Sequence, residues 1–135
     1  MSTYSQLYVH AVWSTWERVP LIVPEREAVI YRAIHQQCSA VGAEPIAIGG
    51  VEDHVHVLVR FPPTVAVSQL IGRMKGASSR MVEQVSRHPF RWQAGYGAFT
   101  VGTRHVPAVR AYVLNQAEHH RTGTLVKTLE AAPRL

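Results

Sequence analysis

The chain has 135 residues, 47% of them hydrophobic and 17% charged, which is typical of one globular domain that buries its own core. Its net charge of +5 favours polyanionic partners, nucleic acid first. The single cysteine excludes an internal disulfide and a cysteine-based metal site. No apolar run is long enough for a membrane span, and the start lacks a secretory signal. We therefore expect a cytoplasmic protein with no membrane partner.

The first half of the chain predicts a strand, a helix and two more strands. The stretch YSQLYVHAVWSTW, residues 4–16, is rich in Val, Tyr and Trp, which favours one long strand. Pro24 suits the first position of a helix, and Gly42 suits its end. The segment AEPIAIGG is a short second strand, which turns into the third, HVHVLVRF.

The second half predicts a helix, a strand and a final helix. The first of these helices runs from Thr64 to about Val85. Its predicted apolar face consists of Val67, Leu70, Ile71, Met74, Ser78, Met81 and Val85. The segment AFTVG is the fourth strand, and VPAVRAYVLNQAEHH is the final helix. Residues 123–135 form a short helix or a loose tail of a single domain that spans residues 1–135.

The predicted order β-α-β-β-α-β, followed by a helix, is that of an α+β protein with a ferredoxin-like, split βαβ fold. We therefore expect an antiparallel four-stranded sheet with two helices on one face. The other face is left for a ligand, a partner or the last helix. The third strand is one of the two central strands of such a sheet, so its side chains are held rigidly.

That third strand carries two histidines, His54 and His56, on one face. Val55, Val57 and Val59 alternate with them, and because strand side chains alternate between faces, the valines indicate a core face. The histidines then lie side by side on the other face. An isolated His-x-His is more often a surface pair than a metal site, so the pair alone does not decide its role.

The final helix adds Tyr112 and Gln116, four residues apart and therefore neighbours on one surface row. Two imidazoles and a Gln carbonyl can hold a divalent cation and leave it open positions for a substrate oxygen. All three ligands are neutral, so the cation keeps its charge for a phosphate. A tyrosine one turn from the glutamine lies near that phosphate, and tyrosine is a known covalent nucleophile.

Four stretches in this order carry a family resemblance: EDHVHVLVRFPP, LIGRMKGASSRMV, WQAGYGAFTVG and VRAYVLNQAEHH. Together they resemble the small tyrosine transposases of bacterial and archaeal insertion sequences. These are single-strand DNA transposases of the HUH superfamily, named after a His, a hydrophobic residue and a His. Their domesticated relatives associated with repetitive palindromes are similar too.

The resemblance implies that His54, His56 and Gln116 bind Mg²⁺ or Mn²⁺ and that Tyr112 is the nucleophile. It implies a homodimer that cleaves and rejoins single-stranded DNA at hairpin-flanked element ends through a 5′-phosphotyrosine. Since the partner arrangement is common in the family, we predict sites built in trans, with the histidines from one chain and Tyr112 with Gln116 from the other.

Several roles stay open in the sequence. His119 or His120 can join or replace Gln116 as a ligand. Asp53 and Glu52 either orient the imidazoles or serve only as turn residues.

The sequence does not decide which residues contact DNA. Candidates on the second helix are Arg73, Lys75 and Arg80, which can equally form a solvated face. The aromatic residues Trp13, Trp16, Trp92 and Tyr96 either stack on unpaired bases or belong to the core. Two rival functions remain: a ferredoxin-like protein that binds single-stranded nucleic acid without cleaving it, and a metal-dependent hydrolase that uses water as the nucleophile.

Overall fold

The computed structural model of the chain describes residues 3–86 and 89–130; residues 131–135, the end of the predicted tail, lie outside the described part. The strands are β1 (Tyr8–Ser14), β2 (Glu44–Val51), β3 (His54–Arg60) and β4 (Gly97–Thr100). The helices are α1 (Pro24–Ala40), α2 (Val67–Val85), α3 (Val106–Leu114), α4 (Gln116–Thr122) and α5 (Lys127–Glu130).

The four strands form one antiparallel sheet in the order β2-β3-β1-β4. This confirms the predicted ferredoxin-like arrangement and places β3, with its two histidines, beside β1 at the centre of the sheet. Within the β1–β3 pair, Ser14 lies opposite His54 and Val12 lies opposite His56. Neither strand can slip in register without turning its buried side chains to the wrong face.

One face of the sheet packs against α1 and α2 and forms the main core. The predicted core valines of β3, at positions 55, 57 and 59, are fully buried there. The apolar stripe of α1 meets them through Ile30, Ile34 and Cys38. This helix ends as predicted, since Gly42 takes a positive φ of 76° that a residue with a side chain rarely adopts.

The last helix covers the opposite face, the one that carries the histidines. Val109 and Val113 of α3 pack with Leu58 of β3 and Ala47 of β2 in a second, smaller hydrophobic cluster. At Gly49 the backbone of α3 lies directly on β2, where a β-carbon would overlap the carbonyl oxygen of Val113. Both histidines are consequently buried beneath the chain's own C-terminal helices.

The predicted final helix is in fact two helices. Asn115 leaves the helical conformation at φ −106° and ψ 30°, and its side-chain amide donates to the carbonyl of Ala111. Asparagine side chains compete in this way with backbone hydrogen bonds, so the helix breaks and α4 begins at Gln116.

Two other predicted elements differ from the structure. The first strand begins only at Tyr8, opposite Arg60 at the end of β3, and it stops at Ser14, because Glu17 and Arg18 form a turn with positive φ. In α2 the buried face turns toward Val82, and the predicted core residue Val85 is 67% exposed. Within residues 3–86 and 89–130, no helix combines the length and apolarity that a membrane span needs.

Candidate active site

The two histidines of β3 are buried and oriented by different partners. His54 is 2% exposed, and its Nδ1 donates to Oδ1 of Asp53 at 2.7 Å, which turns Nε2 toward the space beneath α4. Burial alone lowers the pKa of His54, but hydrogen bonds with Asp53 and Glu130 outweigh it and raise that pKa to about 9. His56 is fully buried, and burial lowers its pKa despite the nearby Glu130.

The two acidic residues before the histidines therefore differ in role. Asp53 contacts His54, whose hydrogen bond lowers the pKa of the Asp53 carboxyl. Glu52 has an exposed side chain, and its carbonyl oxygen accepts the backbone N–H of Ile22 at 2.9 Å. Asp53 thus contacts His54 through its side chain, whereas the contact of Glu52 is made through its backbone.

Gln116 reaches the histidines from the start of α4. Its side chain is 1% exposed, and its Nε2 donates to the carbonyl of Tyr112 at 3.1 Å. This bond fixes the amide so that Oε1 lies 3.4 Å from Nε2 of His54. Gln116 is the first residue of α4, directly after the break at Asn115.

Two more side chains converge on the same point. Nε2 of His120 lies 3.0 Å from Nε2 of His54. Oε1 of Glu130, in α5, lies 3.3, 3.2 and 3.5 Å from Nε2 of His54, His56 and His120. His119 instead pairs with Thr124 and stacks on the ring of Tyr112, with centroids 4.5 Å apart. Of the two histidines after Gln116, the structure brings His120 to the site.

The donor atoms are spaced as the ligands of one divalent cation are. Metal–ligand bonds of about 2.0–2.2 Å place neighbouring donors roughly 3.0–3.5 Å apart in octahedral or tetrahedral geometry. Nε2 of His54 lies at such distances from Oε1 of Gln116, Nε2 of His120 and Oε1 of Glu130, and so do the last two atoms from each other. Moreover, two imidazole nitrogens 3.0 Å apart need a proton or a cation between them. The residues fit a divalent metal.

Tyr112 lies against this donor set. Its hydroxyl donates to Oε2 of Glu130 and accepts the backbone N–H of Val126 at 3.0 Å. Its ring contacts that of His56 edge to face. Burial and the Glu130 contact raise the pKa of Tyr112 to about 12. The Tyr112 side chain is 6% exposed.

Sequence reasoning did not identify Glu130, nor His10, whose Nε2 lies 2.8 Å from Nδ1 of His56. Glu130 follows the predicted tail boundary in KTLEAAPRL, where no periodicity or spacing marks it. His10 left a usable signal. Val12 of β1 lies opposite His56 of β3, so the two share a face of the sheet. His10 is two residues before Val12, and strand periodicity therefore places it on that same face.

The predicted DNA contacts of α2 lie on the far side of the sheet from the histidines. Arg73 and Arg80 are exposed and line a surface groove together with Gly72 and Gly76. Lys75 is half-buried, which lowers its pKa, and its Nζ donates to two carbonyls of the loop before β4 at 2.9 and 2.8 Å. This lysine is therefore occupied in holding the loop.

The four aromatic residues for which base stacking or core packing was left open lie mostly in the core. Trp13 and Trp92 are 0% and 8% exposed and pack edge to face, and Tyr96 lies against the same core. Trp16 is half-buried, and the Arg91 guanidinium lies 3.9 Å from the centre of its ring. Trp16 and Tyr96 are both half-buried and keep part of their surface accessible.

Comparison with known proteins relates the chain to a family of transposases. The family model described as "Transposase IS200 like" matches residues 3–116. Transposases for insertion sequence element IS200 from Salmonella typhimurium (strain LT2) and Salmonella typhi are both 26% identical to this chain over 121 residues, which cover 84% of this chain and 79% of the relative.

Two solved structures share the fold, each with a TM-score of 0.67. A protein from Deinococcus radiodurans R1 assigned as a transposase is 24% identical, and the match covers 86% of this chain and 95% of that one. A REP-associated tyrosine transposase bound to a REP hairpin is 14% identical, with 93% and 76% covered. Because the family model spans most of the sequence, the chain belongs to the family of IS200-like transposases, as its motifs predicted.

Proposed function

We propose that this transposase cleaves and rejoins single-stranded DNA with Tyr112 as the nucleophile, at a site where His54, His56 and Gln116 hold Mg²⁺ or Mn²⁺. One observation carries the proposal. The Nε2 atoms of both histidines lie 3.3 and 3.2 Å from one oxygen of Glu130, and the hydroxyl of Tyr112 is hydrogen-bonded to the other oxygen of the same carboxylate. A nucleophile and a set of metal donors therefore meet at one point.

The donor set suits an electrophilic cation. Three neutral imidazoles, including that of His120, and a neutral amide leave one carboxylate, that of Glu130, to offset the charge of the ion. The amide and carboxylate oxygens are ligands that Mg²⁺ and Mn²⁺ both accept, whereas imidazole nitrogens favour transition metals, so Mn²⁺ fits this mixed set better than Mg²⁺. When bound, the cation supplies polarisation of the scissile phosphate and favours the phenolate form of the nucleophile.

The residues of the chain account for the bonds that change. The phenolic oxygen of Tyr112 forms a bond to phosphorus as the bond from phosphorus to the 3′-oxygen breaks. The hydroxyl proton of Tyr112 has an acceptor in Glu130, to which it already donates. The departing 3′-oxygen takes a proton from water. The product is a 5′-phosphotyrosine and a free 3′-OH, and attack by a 3′-OH on that phosphotyrosine rejoins DNA.

The proposed substrate is a single strand presented beside a foldback hairpin. One structural neighbour is described as bound to a REP hairpin, and the net charge of +5 favours a polyanion. The exposed Arg73 and Arg80 give α2 a basic groove away from the site, suited to the hairpin stem rather than to the scissile phosphate. The buried Cys38 is consistent with a reducing cytoplasm.

We also propose a homodimer, in which α3–α5 dock either on their own sheet or on that of the partner. In the structure, which contains one chain, α3 packs on its own sheet and joins His54 with Tyr112 and Gln116 in cis. Assembly in trans stays a prediction for the dimer. It needs the link after β4, where residues 103–105 form a single 3₁₀ turn, to direct α3 to the other chain.

The substitution Tyr112→Phe tests the proposal because it removes only the phenolic oxygen. It should eliminate the covalent protein–DNA band on a denaturing gel while hairpin binding stays near the wild-type level. Wild-type cleavage should also stop in EDTA and return with Mn²⁺. Cleavage that yields a free 5′-phosphate without a covalent band identifies a water-using hydrolase. Binding without any metal-dependent cleavage identifies a binding protein instead.

A further inference from the structure

His10 is a buried histidine that the mechanism above does not use. It lies on β1 opposite Leu58, on the sheet face that carries the metal donors. The side chain is fully buried and packs beside Phe99. Its Nε2 is 2.8 Å from Nδ1 of His56, and the two rings are nearly parallel, with an interplanar angle of 18° and centroids 5.0 Å apart. His10 therefore contacts His56 at Nδ1, the ring nitrogen that does not face Glu130.

The tautomer of His56 decides whether this residue can bind a cation. Its Nε2 faces the donor set, so metal binding requires a lone pair there and a proton on Nδ1. A buried N–H needs an acceptor, and metal-bound histidines usually find one in a carboxylate or a carbonyl. His54 has such an acceptor in Asp53. At Nδ1 of His56, the group within hydrogen-bonding distance is the ring of His10.

We propose that His10 is a positioning residue of the metal site, which accepts the Nδ1 proton of His56 and thereby keeps the Nε2 lone pair of His56 directed at the cation. The inference rests on the metal site of the proposed function. In this proposal a neutral imidazole accepts the N–H of a metal-binding histidine, a role that a carboxylate or a carbonyl usually fills. The two metal-binding histidines are then oriented differently, one by an anion and one by a neutral ring.

The surroundings of His10 support this role. His10 is fully buried, and its hydrogen-bonding contact within the described residues is with His56 and not with a carboxylate, so Nε2 of a neutral His10 ring can accept a hydrogen bond. The groups that face His10 are His56 and Phe99 in the sheet, with the carboxylate of Glu130 as the nearest charge from the C-terminal helices. No second acceptor for Nδ1 of His56 is present among the described residues.

The hydrogen bonds allow two consistent arrangements of the pair. In the first, His10 donates from Nε2 to Nδ1 of His56, and His56 donates from Nε2 to Glu130 at 3.2 Å. In the second, His56 donates from Nδ1 to His10, and its Nε2 is free for a cation. His10 then carries its own proton on Nδ1, which has no partner within the described part of the chain. The first arrangement suits the metal-free protein, and the second suits the metal-bound one.

The role can be tested on the purified full chain without DNA. Mn²⁺ affinity is measured from the EPR signal of free Mn²⁺ for wild type, His10→Phe and His10→Gln. Phenylalanine keeps a ring but cannot accept a proton, so Mn²⁺ should bind about 10- to 100-fold more weakly. Glutamine offers a carbonyl oxygen and should recover most of the affinity. Phe99→Leu, which alters packing beside His10, should lower the melting temperature and leave Mn²⁺ affinity unchanged.

A second measurement covers the case in which His10→Phe does not fold. Long-range ¹H–¹⁵N spectra of the wild-type histidines in saturating Mg²⁺ report the tautomer of His56 directly. We expect the proton on Nδ1; a proton on Nε2 overturns the inference, as does folded His10→Phe with wild-type Mn²⁺ affinity. If wild type binds no divalent cation at all, the metal site of the proposed function fails and the role of His10 falls with it.

Discussion

The close approach of α3 to β2 at Gly49 makes Gly49→Ala a sharp test of how the site is assembled. A β-carbon at this position would overlap the carbonyl oxygen of Val113 and lie 2.9 Å from the carbonyl carbon. Ordinary contact begins at 3.4 Å. Both atoms belong to the backbone of the last turn of α3, which cannot give way as a flexible side chain would. The helix as a whole must therefore retreat from the sheet.

The size of the retreat sets the expected effect on activity. A displacement on the order of 1 Å at a reacting group costs about 100-fold in rate. Val113 is adjacent to Tyr112 in α3, so the nucleophile moves with it, whereas His54 and His56 stay in place on β3. We expect covalent adduct formation to slow by about 100-fold in single-turnover assays, and Mn²⁺ affinity to fall less, because two donors are untouched.

Gly76→Ala provides the matched control. Gly76 lies in the exposed face of α2, and a β-carbon there meets nothing within 4 Å. Because Gly76 lines the groove proposed for the hairpin stem, the comparison is made at saturating DNA, where the control should form adduct at the wild-type rate. It should also gain about 1 kcal/mol of stability, since alanine is the better helix former. Gly49→Ala that folds and forms adduct at the wild-type rate would refute the argument, because it would mean that α3 does not rest on β2 as described.

Three further predictions concern the site and the core. The double variant His54→Ala, His56→Ala should lose Mn²⁺ binding and cleavage, and should also lose stability by a few kcal/mol because both rings are buried; calorimetry that still detects tight Mn²⁺ binding would place the metal elsewhere. Co-refolding that double variant with Tyr112→Phe should restore cleavage if sites are built in trans, while heterodimers that stay inactive indicate assembly in cis. Burial raises the pKa of the Cys38 thiol to about 11, so this thiol should react with disulfide reagents at pH 8 only after denaturation, and rapid labelling of the native protein would contradict its placement in the core.

The sequence predicted best where a periodic pattern and a buried environment agree. Val55, Val57 and Val59 alternate with His54 and His56, and a central strand tolerates one register only, so both faces of β3 followed from the pattern. The chain order gave the sheet topology for a similar reason, since few arrangements satisfy β-α-β-β-α-β. The core of α1 was predicted from the same kind of periodicity.

The features that sequence reasoning missed arise from a side chain that competes with backbone hydrogen bonds and from contacts between residues far apart in sequence. The apolar stripe through Val109 and Val113 continues to Ala117 and suggests one helix, but the side chain of Asn115 competes for the backbone and breaks it. Glu130 reaches the histidines only because α5 folds back over the sheet. Such a contact between residues far apart in sequence leaves no local pattern. In α2, Val82 is fully buried and Val85 is 67% exposed, a choice between two apolar residues of the last turn that the periodicity did not make.

The docking of α3 has a consequence for the balance between monomer and dimer. If two chains exchanged α3–α5, Val109 and Val113 would pack on an identical surface of Leu58 and Ala47, so the exchanged and unexchanged forms gain the same contact energy. The short link after β4 gives the chain's own helix an effective concentration on the order of millimolar at its own sheet. A partner's helix competes with that value only at comparable protein concentration, or when a separate interface holds the two chains together. An exchanged dimer at cellular concentration thus requires surface outside the α3 contact to bind the second chain.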